Sequence, residues 1–160
     1  MLVLQLLSVF GYGIMAYQDI RDREVSWVLF PLLGICLALS YGLQVGISVF
    51  TFSVMVNLIL ITCVVLLLWG ITKFILKKPF LDVSFGLGDM LFLYVFALGF
   101  PTMTFVFLLV GSLLFSLAAF FLMKFLLQTK TVPLAGLMGL FLMAFILLAL
   151  IPGTPSLYAY

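Results

Sequence analysis

The chain has 160 residues, 67% of them apolar and 8% charged, with a net charge of +2 and a mean hydropathy of +1.47. A water-facing domain carries roughly 25% charged residues to cover its surface, so this composition excludes an ordinary soluble fold. The small net charge, without a basic stripe, excludes a nucleic-acid binder, and the lack of any histidine excludes Ser-His and Cys-His catalysis and the common zinc sites.

Apolar stretches of about 20 residues cross the hydrocarbon layer of a bilayer. Six can be drawn here, near 2–17, 27–41, 47–71, 85–100, 102–127 and 132–151. None alternates as a barrel strand would, and in lipid the backbone must satisfy its own hydrogen bonds, so all six are expected to be helices. The expected fold is an all-α membrane protein, a bundle of about six transmembrane helices forming a single domain over residues 1–160. The first stretch opens Met-Leu-Val-Leu-Gln, with no basic n-region and no small-residue cleavage site, so it is expected to stay as a span. The second and fourth are short for a full crossing and call for tilt or local thinning. Gly99-Phe100-Pro101-Thr102 reads as the turn between the fourth and fifth, with Pro101 stopping one helix and the glycine releasing the chain. Cys36 and Cys63 lie inside apolar runs, away from any metal-type spacing, and read as packing residues. Most of the thirteen glycines read as close-packing points between helices.

Charge sets the expected orientation. Arg21 and Arg23 follow the first stretch, Lys73, Lys77 and Lys78 the third, and Lys124 and Lys130 lie between the fifth and sixth. All seven basic residues thus fall on one side, which the positive-inside rule makes cytoplasmic, and both termini are expected to face outward.

The five acids, Asp19, Asp22, Glu24, Asp82 and Asp89, fall on the same side. Asp22, Glu24 and Asp82 sit in loops among Arg and Lys and read as solvated charge. Asp19 closes the first stretch and Asp89 opens the fourth, at matching depth on one descending and one rising segment. Carboxylates at the rim of a span usually face the bundle interior and have a function. Two that face each other cannot both ionise cheaply, so the pair shares a proton. The ionised member can take a proton from an attacking water, and the protonated member can donate to the carbonyl oxygen or the leaving amine, with no metal or cofactor. A cation-coupled transporter is an alternative class, but such proteins place ionisable groups near the midplane, where this chain has no charge.

Gly86-Leu87-Gly88-Asp89 resembles the Gly-x-Gly-Asp motif of intramembrane aspartyl proteases. Asp19-Ile20-Arg21-Asp22-Arg23-Glu24-Val25 is similar to the Asp-Ile/Phe-Arg-x-Arg-Glu-Ile segment of type IV prepilin and archaeal preflagellin peptidases. Lys130-Thr-Val-Pro133-Leu-Ala-Gly136 looks like the Pro-containing segment that opens the last span in that family. The likeness covers nearly the whole chain in order and spacing. It implies an aspartic endopeptidase that removes the leader of a pilin-like or archaellin-like precursor at the cytoplasmic face of a prokaryotic membrane. Asp19 and Asp89 would be catalytic, Gly86 and Gly88 would support the motif, and the partners would be the precursor and the bilayer. Glycine there is expected for positive φ or close backbone approach. Presenilin-type proteases share Gly-x-Gly-Asp, but Tyr17-Gln18-Asp19 interrupts their Tyr-Asp motif and Pro133-Leu134-Ala135 scrambles their Pro-Ala-Leu.

The chain departs from many bacterial members of the prepilin peptidase family. It lacks the cytoplasmic insert with paired Cys-x-x-Cys motifs, so no N-methylation activity is implied. Val25-Ser26 stands where they have Ile-Pro, which leans toward the short, archaeal-like form. A non-catalytic assembly protein derived from such a peptidase is the other class to separate by experiment. Pro133 can serve simply to start the last helix.

Overall fold

The computed structural model describes residues 2–76, 86–127, 133–151, 153 and 157–158. Lys77, Lys78, Asp82 and Lys130 of the charged loops, and Phe85 at the expected start of the fourth stretch, lie outside the described residues. Among the described residues there are six α-helices and no strand: α1 Leu2–Asp22, α2 Leu29–Val45, α3 Ile47–Gly70, α4 Leu87–Phe96, α5 Thr102–Leu127 and α6 Leu134–Ala149. A π-helical turn, Ile71–Leu76, continues α3.

The helix ends follow local chemistry. Pro31 falls in the first turn of α2, where its missing N–H costs nothing. Gly46, at φ 82°, ends α2 and lets α3 begin at the next residue. Pro101 precedes α5, and its carbonyl accepts the first helical bond from the Phe105 N–H at 2.8 Å. Pro133 occupies the cap position of α6 rather than its first helical position. Three helices end four or five residues from the expected boundaries, α2 among them, which runs on to Val45 rather than 41. α1 runs on to Asp22, because a helix continues past the apolar boundary until a residue leaves helical φ, and Arg23 does so at φ 60°. Asp19 therefore sits in the last turn of α1 rather than after it. α4 stops at Phe96, ten residues from its start, although the apolar run continues. There the Asn57 amide on α3 donates to the Ala97 carbonyl at 3.1 Å and the Phe100 carbonyl at 2.9 Å, holding a turn where the helix would have continued.

α1 packs along α6 and α2, α6 also along α5, and the short α4 lies against α2, α3 and α6. The buried face of α1 repeats at helical spacing, with Ser8, Gly11, Tyr12, Met15, Ala16 and Asp19 all turned inward. Tyr12 meets Phe92 of α4 edge-on at 6.1 Å between ring centroids, and Phe92, Phe96, Phe100 and Phe105 continue the aromatic core. The outer faces are as apolar as the inner ones. Phe107, Trp27 and Ile47 are 78%, 74% and 82% exposed, in company with many Leu, Ile and Phe side chains. Soluble monomers rarely leave such continuous apolar surface uncovered. Two helical segments, Ile47–Phe74 and Thr102–Lys124, are long and apolar enough to cross a membrane.

Candidate active site

Three helix ends meet at one end of the bundle: the C-terminus of α1 and the N-termini of α4 and α6. The first amides of any helix have no partner within it and together form its positive end. In α6 two consecutive ones are taken by carboxylates. Ala135 N–H donates to Asp89 Oδ1 at 3.0 Å, and Gly136 N–H donates to Asp19 Oδ2 at 2.6 Å. Neighbouring Cα atoms are about 3.8 Å apart, so adjacent amides set the two carboxylates side by side. They are close enough for the charge on one to act on the other. The two acids singled out in the sequence are thus brought together, although α6, more than direct packing of α1 on α4, does the bridging.

Gly136 makes this possible. A Cβ there would stand 3.0 Å from both Cβ and Oδ2 of Asp19 and 3.3 Å from the Ala16 carbonyl oxygen, leaving no room for a side chain. Asp19 is buried, with the Gly136 hydrogen bond on one side and Arg23 in the same pocket wall. Asp89 is half-buried at the third position of α4, and its carboxylate also reaches back to the Gly86 amide at the cap. That is the geometry of a capping box with the acid at N3.

The glycines of Gly-x-Gly-Asp act differently from expectation. Neither has positive φ: Gly86 is extended at φ −71°, and Gly88 lies within α4. A Cβ on Gly86 would stand 3.1 Å from Asp89 Oδ2, tighter than an ordinary contact, whereas one on Gly88 would make ordinary contact with Phe30 at 3.8 Å. The close approach expected of the motif glycines is made by Gly86, against Asp89, but not by Gly88, and Gly136 makes a second one against Asp19. Sequence reasoning had Gly136 in the Pro133–Gly136 segment but assigned it no part in the site. The backbone amides that do the work leave no mark on residue type; the glycine beside them is the one signal.

A cavity of about 450 Å³ opens onto Asp19, Asp89, Arg23, Glu24, Gly86 and Ala135. Glu24, expected as loop charge, lines it; Asp22 is exposed and pairs with Arg21 at 3.6 Å. Among the described residues, no three His, Cys, Asp or Glu side chains gather as metal ligands. Cys36 and Cys63 are both free thiols. Compared with family models, curated proteins and solved structures, the chain matches none of them.

Proposed function

We propose that this chain is an intramembrane aspartyl endopeptidase, which removes the leader from pilin-like or archaellin-like precursors at the cytoplasmic face of a prokaryotic membrane. The observation that carries the reading is the pair of carboxylates from α1 and α4, set on adjacent amides of α6 at the mouth of an open polar pocket in an otherwise apolar bundle.

In this reading all six helices lie in the bilayer, with the charged loops cytoplasmic and both termini external. The apolar outer faces meet lipid tails. At about 1.5 Å per residue α4 is roughly 15 Å long, half the hydrocarbon thickness. Its flanks against α2, α3 and α6 supply protein where lipid contact would otherwise be required.

The chemistry follows from two acids with one proton between them. Asp19, whose ionised form is held by the Gly136 hydrogen bond, takes a proton from water as the water attacks the peptide carbonyl. Asp89 holds the shared proton and returns it to the carbonyl oxygen or the departing amine. The amides of α6 fix both carboxylates before substrate arrives, so little reorganisation is needed at the moment of reaction.

The test is cleavage of a synthetic precursor by the purified protein in detergent micelles. Leader release by wild type and none by Asp19→Asn or Asp89→Asn is the expected result. An inactive wild type would favour a non-catalytic assembly protein, and full activity in either Asn variant would end the dyad reading.

A further inference from the structure

Arg23 is placed in a way that the two carboxylates alone do not explain. It follows the last residue of α1 at φ 60°, in the left-handed region that a residue with a Cβ occupies only where its surroundings impose it. One such constraint is the Ser26 N–H, which donates to Gln18 Oε1 at 2.9 Å and closes the turn back onto α1. Arg21, two residues earlier, points outward and pairs with Asp22. Arg23 instead lines the pocket with Asp19, Asp89 and Ala135.

Inside the pocket its charge reaches Asp19, yet among the described residues it forms no ion pair with either carboxylate. Its Nη1 is buried and has no hydrogen-bond partner. A buried donor without an acceptor is unfavourable. A guanidinium there only to neutralise the acids would close on one of them through two parallel hydrogen bonds. What remains is a cationic side chain in the pocket wall whose covered Nη1 has a hydrogen bond to give and no acceptor in the resting protein; a bound peptide must draw it out of that cover to use it.

We propose that Arg23 is a catalytic residue of the hydrolysis described above, donating from Nη1 to the carbonyl oxygen of the scissile peptide bond. The proposal rests on the peptidase reading. The water oxygen bonds to the carbonyl carbon while one water proton passes to the ionised carboxylate. The carbonyl oxygen takes up the electron pair and is held by the guanidinium, which keeps all its protons. As the carbonyl reforms, the C–N bond breaks and the departing nitrogen takes the proton from the other carboxylate. The new acid retains the water oxygen. A carbonyl in unwound chain has both lone pairs free for this contact, whereas a helical one already gives one to the amide four residues on, so extended chain suits the cut better.

The experiment uses the purified full chain in detergent, a synthetic precursor peptide, and the variants Arg23→Gly and Arg23→Lys. Glycine suits φ 60° best, so a residue serving only the turn would be replaced by it without loss. Arg23→Gly is expected to keep its fold and thermal midpoint and to lose kcat by roughly 100- to 1,000-fold. KM is expected to stay within about threefold of wild type, since the contact strengthens only as charge develops. Each variant is assayed at its own pH optimum, so that a displaced Asp19 titration is not mistaken for a lost contact. Wild-type kcat in Arg23→Gly overturns the proposal, and so does a raised KM with kcat unchanged. If Arg23→Gly does not fold, Arg23→Lys decides: a kcat loss of about tenfold or more supports the forked donor, and wild-type kcat overturns it. A wild type that cleaves nothing would sink the peptidase reading itself, whereas a defect confined to the Arg23 variants bears on this residue alone.

Discussion

The two ends of α4 are held in different ways. At its C-terminus Asn57 clamps two carbonyls, Phe96, Phe100 and Phe105 pack ring to ring, and Phe100 and Tyr41 both stack on Tyr158. At its N-terminus Asp89 reaches an amide of another helix, and the space beyond is a cavity of about 450 Å³. One end is filled by packed rings; the other holds buried acids, a left-handed arginine and room for a guest. Such a division is expected where function tolerates local cost and the rest of the fold compensates. Substitutions at the filled end should change stability, and substitutions at the open end should change chemistry.

The largest expected effect is at the acids. Asp19→Asn or Asp89→Asn should each lower cleavage by about a thousandfold or more, and the double variant should be scarcely worse, because residues that act as a unit are non-additive. Initial rates with matched amounts of inserted protein measure this. Independent, multiplying losses would mean that the two acids do not work as a pair.

Gly136→Ala comes next. The added methyl collides with Asp19, and the displaced carboxylate should lower cleavage by roughly 10- to 100-fold. Overpacking should also cost about 1–3 kcal/mol of stability. One turn along α6, a Cβ on Gly139 meets its nearest neighbour at 3.6 Å, so Gly139→Ala should be close to neutral. Gly88→Ala should likewise keep its activity, because Phe30 is in ordinary contact range. Rates and thermal midpoints for the three variants together show whether the demand for a small residue is particular to Gly136, beside Asp19.

At the filled end, Asn57→Ala should destabilise by roughly 1–3 kcal/mol, since two buried carbonyls lose their donor. Activity per folded molecule should stay near wild type. A loss of kcat at unchanged stability would show that the two ends of α4 are coupled.

Much of this was legible in the residues. Helix follows from apolar length in a chain with almost no charge, and the two acids stood out because so few others could be buried. The turn at Gly99–Thr102 was marked by residue type, since the missing amide of Pro101 is a property of a single residue. The tertiary structure decided the rest. Asn57 gave no sign that it would end α4, forty residues away, because a hydrogen bond between helices has no local pattern. Gly86 and Gly88 looked like the close-approach glycines, yet Gly88 is in ordinary contact range, and because α6 arrives at Asp19 a demand for a small residue falls on Gly136 as well as on Gly86. Arg23 read as one loop charge among several until its backbone angle turned it into the pocket. Sequence alone specified which segments avoid water and which few groups cannot; only packing determined which backbone amides those groups would find, because an amide is the same at nearly every residue and its position is all that distinguishes it.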